Sequence, residues 1–100
     1  MSEKQIQDSI LHYLKKSFPS SVVWKLHEDP VFGVIGIPDI FFAYNGKAFF
    51  FEVKDSGKGA SKIQEVVLNK LVKNGIIAEV VYSVLQVKLI LLQEELDVCL

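Results

Sequence analysis

One dipeptide constrains this chain more than any other feature. Asn45-Gly46 lies between two strand-like runs, Asp39 to Tyr44 and Lys47 to Lys54. Asn-Gly is the strongest short-range hairpin signal, because both turn residues must adopt positive φ. A two-residue turn sets the register of everything beyond it. Tyr44 should pair with Lys47, Phe42 with Phe49, Ile40 with Phe51, and Asp39 with Glu52. Both runs are apolar at alternate and intervening positions alike, so both faces of these strands need cover. They are predicted to lie in the middle of a sheet with helices above and below.

The flanking segments supply those helices and further strands. Ser2 with Gln5 has capping-box spacing, and Ile6, Ile10, Tyr13 and Leu14 follow on one stripe up to Pro19. Glu3 lies at the start of that stripe. Val22, Trp24 and Leu26 alternate with Val23, Lys25 and His27, a short strand in which Trp24 and the phenylalanines are expected to be core. Glu28 to Ile37 reads as a loop broken by Pro30, Gly33 and Gly36, and Asp55 to Ala60 as a mobile one. Ser61 with Gln64 is a second capping box, opening a helix with Ile63, Val67, Leu68 and Leu71 inward and closed by Asn74-Gly75. Ile76 to Tyr82 is a strand. Ser83 with Gln86 opens a last helix over Val84 to Glu95. The fold class is α/β: a mixed sheet of about four strands flanked by helices, in the order α-β-β-β-α-β-α.

A chain of 100 residues is expected to be one domain, residues 1–100. Half of its residues are hydrophobic, so some apolar surface either covers both sheet faces or waits for a partner. Net charge −1 excludes a strongly basic nucleic-acid binder; any such contact must come from local charge, several copies, or a bound cation. The single cysteine, Cys99, excludes an internal disulfide or a Cys-based zinc site and fits a reducing, cytoplasmic setting. The polar N-terminus is not that of a signal peptide. The apolar run Val84 to Leu92 is interrupted by Gln86 and Lys88 and is too short to span a bilayer, so no membrane association is expected.

The hairpin register sets Asp39 opposite Glu52, with Cβ atoms about 5 Å apart. Lys54, two residues on, shares the face of Glu52. Two opposed carboxylates repel, a poor choice for packing but a good one for a divalent cation beside an ammonium group. Mg²⁺, or Mn²⁺ in its place, takes oxygen ligands and keeps several waters. Asp39, Glu52 and the backbone carbonyl of Val53 can supply oxygens. The cation can polarise a phosphoryl oxygen and activate a water, and Lys54 can stabilise the developing charge. The chemistry expected is phosphodiester hydrolysis.

The runs Gly36-Ile37-Pro38-Asp39 and Phe51-Glu52-Val53-Lys54 resemble the PD-(D/E)xK nuclease signature. With Ser61, Gln64 and Glu3, the chain from about Glu3 to Tyr82 resembles the virus-type replication-repair nuclease (VRR-NUC) family. The resemblance implies a restriction-endonuclease-like core, Asp39 and Glu52 as metal ligands and Lys54 as catalytic lysine. It implies that Glu3 completes a metal site and that Gln64 supports it. It further implies a stand-alone phage or bacterial enzyme similar to Holliday junction resolvases, a homodimer cutting branched DNA.

Blander roles stand beside these. Gln64 can be only the capping partner of Ser61, and Glu3 only a first-turn acid. Lys25, His27, Ser61, Lys58 and Lys62 are candidate nucleic-acid contacts, or ordinary surface residues. At the level of the whole chain, the alternatives are a non-cleaving nucleic-acid-binding or assembly subunit, or a nuclease acting on RNA or unbranched duplex.

Overall fold

A computed structural model describes residues 1–26 and 35–100 of the chain. The elements run α1 (Glu3–Ser17), β1 (Val22–Lys25), β2 (Ile40–Tyr44), β3 (Lys47–Val53), α2 (Lys62–Lys73), β4 (Ile77–Val81) and α3 (Val84–Gln93). His27 and residues 28–34 of the loop expected over Glu28 to Ile37 lie outside the described residues.

The hairpin forms in the expected register. Asn45 and Gly46 have φ of 54° and 81°, the double positive φ that a type I′ turn needs. Tyr44 pairs with Lys47, Phe42 with Phe49 and Ile40 with Phe51. β1 joins the free side of β2 antiparallel, and β4 joins β3 parallel, giving the order β1-β2-β3-β4. The two all-apolar strands are therefore the central ones.

All three helices start on the serines that their spacing indicated. Ser2 and Ser61 form complete capping boxes with Gln5 and Gln64. Ser83 Oγ accepts from Gln86 N–H at 3.1 Å, but the Gln86 carbonyl turns to Tyr82 N–H instead, at 2.8 Å. α3 ends at Gln93, two residues short of the expected end, where Glu95 has φ of 66°.

The two sheet faces are covered unequally. On one, Ile40, Phe42, Phe49, Phe51, Val53 and Val81 pack against Ile6, Ile10, Leu11 and Leu14 of α1 and Val87, Ile90 and Leu91 of α3. Tyr13 is only half-buried at the margin of this core. On the other face α2 lies over β4, burying Leu68 and Ala78, and leaves the β1 side open. Trp24 consequently departs from the expected core position. It is 59% exposed, with its ring 5.3 Å from Phe41, because Val23 rather than Trp24 faces the main core. Ile63 departs likewise: it is 47% exposed, since α2 turns Gln64 and Leu68 toward the sheet. Among the described residues, no helix is long and apolar enough to cross a membrane.

This asymmetry separates two aromatic substitutions. Phe51→Ala should cost about 3–5 kcal/mol in urea unfolding, the range for a large buried ring. Trp24→Ala should cost about 1 kcal/mol or less, because it removes one half-solvated ring contact.

Candidate active site

Asp39 directly precedes β2, one rung past the Ile40–Phe51 pair. Two main-chain bonds hold it there. Leu26 N–H donates to its carbonyl at 2.7 Å, and Val53 N–H donates to its Oδ2 at 2.8 Å. The second bond ties the carboxylate to the end of β3, where the ladder with β2 has run out. Upstream, Gly36 has φ of 81°, and a Cβ there would lie 3.1 Å from the Ile63 carbonyl. A glycine thus lets the chain pass close under the start of α2 on its way to the buried Pro38 and to Asp39.

Glu52 lies on the α2 side of β3, opposite in direction to Phe51 and Val53. Among the described residues it is the buried charged one, only 3% exposed. Its Oε2 accepts from Gln64 Nε2 at 3.1 Å and lies 3.6 Å from Lys54 Nζ. Its Oε1 is buried and has no hydrogen-bond partner among the described residues. Burial first, then the negative charge of Asp39, pushes the Glu52 carboxyl up to about 7, with Lys54 opposing. Asp39 lies near enough for its negative charge to act on the Glu52 carboxyl. The acid pair that the hairpin register implied is thus brought together, with Lys54 beside it.

Gln64 carries both roles that its position allows. Its Oε1 accepts from Ser61 N–H at 2.9 Å in the capping box, which leaves its amide NH₂ to face Glu52. Ser61 is held as the helix cap, its Oγ accepting from Gln64 N–H at 3.3 Å. The loop between β3 and α2 is tied down by Lys58, whose Nζ lies 3.9 Å from Glu3 and 3.7 Å from Asp55. Tyr82 donates its hydroxyl to the Lys58 carbonyl at 2.9 Å. Nothing in the sequence pointed to Tyr82, because its partner is a backbone atom 24 residues away.

Other expected site residues fall elsewhere. Glu3 does not join the acid pair: no group of three His, Cys, Asp or Glu side chains placed to hold a metal occurs among the described residues. As the first residue of α1 its carboxylate reaches Lys58 across solvent-exposed surface. Lys25 pairs with Ile40, which points into the main core, so it occupies the sheet face opposite to Asp39 and Glu52. Lys62 is exposed at the first position of α2. His27 lies outside the described residues.

The acid pair is where a hard cation could be held. An orphaned buried carboxylate oxygen leaves a desolvation cost uncompensated, and a cation coordinated there would offset it. Asp39 and Glu52 are oxygen donors of the kind that Mg²⁺ and Mn²⁺ take.

The raised pKa of Glu52 sets a pH dependence for the metal-free protein. The folded state holds the proton up to about 7, whereas the unfolded chain releases it near 4.5. Between those values the folded state binds more protons, so stability falls as pH rises through that window. Urea unfolding in a chelator should show this decline in the wild type. In Glu52→Gln it should be nearly flat across the window.

No family model matches the chain, and no curated protein matches it. Solved structures do. One, described as a VRR_NUC domain, superposes with a TM-score of 0.69 at 25% identity, over 91% of this chain and 96% of that one. Another, a VRR_NUC domain protein, gives 0.72 at 21% identity, over 93% of this chain and 87% of that one. The element order, the mixed four-stranded sheet and the flanking helices agree with the restriction-endonuclease-like core. Over more than nine-tenths of its length, the chain has the fold of these VRR_NUC domain structures.

Proposed function

We propose that this chain is a Mg²⁺- or Mn²⁺-dependent endonuclease that hydrolyses phosphodiester bonds in branched DNA, such as Holliday junctions, as a homodimer. The observation that carries the reading is the buried Oε1 of Glu52, without a partner among the described residues, beside Asp39 and with Lys54 Nζ 3.6 Å from the other oxygen. A structural carboxylate in so dry a place would have both oxygens bonded. This one keeps an oxygen in reserve next to a second acid.

Asp39 and Glu52 hold the cation, with the Val53 carbonyl as a further oxygen donor. When bound, the cation polarises the phosphoryl group and lowers the pKa of an attacking water. Val53 N–H keeps the Asp39 carboxylate turned toward Glu52. Gln64 holds Glu52 Oε2, so that Oε1 is the oxygen left to ligate. The Lys54 ammonium, 16% exposed in its side chain, sits in a low-dielectric margin where its charge acts strongly on a developing oxyanion. Cation binding also draws the proton from Glu52, since only the ionised carboxylate ligates well.

The substrate is the most specific part of the proposal. Net charge −1 gives no broad basic surface for plain duplex, which favours recognition by shape and by paired copies. Lys58 and Lys62 flank the site and can meet backbone phosphates, Lys58 after leaving Glu3 and Asp55. The free, exposed Cys99 suits a reducing cytoplasmic setting.

Cleavage should be measured with Mg²⁺ and with Mn²⁺ on a four-way junction, a flap, a plain duplex and single strands. The wild type should cut the branched substrates, Asp39→Asn should not cut at all, and Lys54→Ala should lose at least about a hundredfold. Mg²⁺ should raise the melting temperature of the wild type and not that of Asp39→Asn. Full activity of Asp39→Asn would refute the proposed site. A wild type that neither binds metal nor cuts would point to the assembly subunit instead.

A further inference from the structure

α3 is apolar on two sides, yet the described residues cover only one. Val87, Ile90 and Leu91 enter the main core. Leu85, Leu89 and Leu92 point outward, 59%, 47% and 43% exposed. Their spacing of four and three residues sets them in one row on the helix surface. The polar residues that would normally occupy such a face are drawn away. Lys88 reaches over the ring of Tyr13, with Nζ 5.1 Å from its centroid, and Gln86 is bonded to Tyr82 N–H. The outer face therefore presents an uncharged row of leucines. A helix hydrophobic on all sides belongs in an interior.

The charges at the ends of α3 say what covers it. α1 and α2 each carry an acid in the first turn, Glu3 and Glu65, and lysines in the last, as the helix dipole favours. α3 has no acid in its first turn and no base in its last. Glu94, Glu95 and Asp97 follow its C-terminus instead. Within one chain this sense is unfavourable. Lys47 offsets it at Glu94, donating to the Glu94 main-chain carbonyl and lying 3.9 Å from its carboxylate, and Glu95 and Asp97 remain. A second α3 lying antiparallel would bring its own positive N-terminus to those acids, and the exchange would be mutual. A parallel copy would set acids against acids. A lipid surface fits poorly, because the row lacks the basic rim that draws a helix to anionic headgroups.

We infer that the Leu85–Leu89–Leu92 face of α3 is the contact between two copies of this chain, packed antiparallel about a two-fold axis near Leu89. Each Leu85 then meets the partner copy's Leu92, as an isologous interface requires. The inference names the partner surface of the dimer proposed above and in that sense rests on it. Its test reads association rather than cleavage, so either can fail alone.

Sedimentation analysis of the wild type should give the mass of two chains. Leu89→Glu should give the mass of one, with an unchanged circular dichroism spectrum. A wild type that stays a single chain at every concentration, or a folded Leu89→Glu that remains a pair, overturns the inference. Cysteine variants in a Cys99→Ser background test orientation without placing a charge in the row. Under mild oxidation Leu89→Cys should cross-link to a dimer. Leu85→Cys should not, and neither should Lys73→Cys on α2, whereas Leu85→Cys with Leu92→Cys in one chain should. Leu85→Cys cross-linking as readily as Leu89→Cys would refute the antiparallel pairing, and no excess of Leu89→Cys over Lys73→Cys would refute the interface.

Discussion

The structure depends on the register of β2 against β3. A two-residue turn with positive φ at Asn45 and Gly46 locks Tyr44 to Lys47, and every rung beyond follows. A slip of β3 by one residue would turn that strand over. Phe49 and Phe51 would leave the core, and Glu52 would enter it. Burial of these fully enclosed phenylalanines on one side thus enforces the position of the acid on the other. The same register brings Asp39 to the end of β3, where Val53 N–H bonds it.

At that end the packing accepts an electrostatic cost. Glu52 is as buried as a core residue, faces a second acid and has one oxygen without a partner. Gln64 and Lys54 offset part of this cost. Their arrangement restrains the carboxylate and leaves its second oxygen without a partner among the described residues. The capping box of α2 contributes directly, because the amide that closes the helix end is also the one that faces Glu52. Local helix chemistry and site geometry meet in one side chain.

The two sheet faces divide the work. The face under α1 and α3 holds most of the buried apolar surface. The face under α2 is thinly covered and carries the acids, with the aromatic rings of Trp24, Phe41 and Phe50 adjoining across the strands. A small domain that places its polar site on the thin face keeps its main core free of buried charge. The apolar surplus evident in the composition lies in part beside Trp24, on the outer side of α2 at Ile63, Val66 and Val72, and along the outside of α3.

Much of this was legible in the chain itself, because the governing interactions are local. Positive φ at Asn-Gly, capping by Ser2, Ser61 and Ser83, and strand alternation act over a few residues, and together they specify the elements, the central hairpin and the approach of Asp39 to the end of β3. What is set by neighbours distant in sequence was not legible. Trp24 and Ile63 are exposed because α2 docks on β4 and not on β1, and no local pattern encodes that docking. Lys25 faces away from the acids because Val23 took the core side of β1, although either phase of the strand was apolar enough. Glu3 meets Lys58 rather than Glu52, and Tyr82 anchors a loop 24 residues earlier, because helix ends and backbone carbonyls find such partners only once the layers have packed.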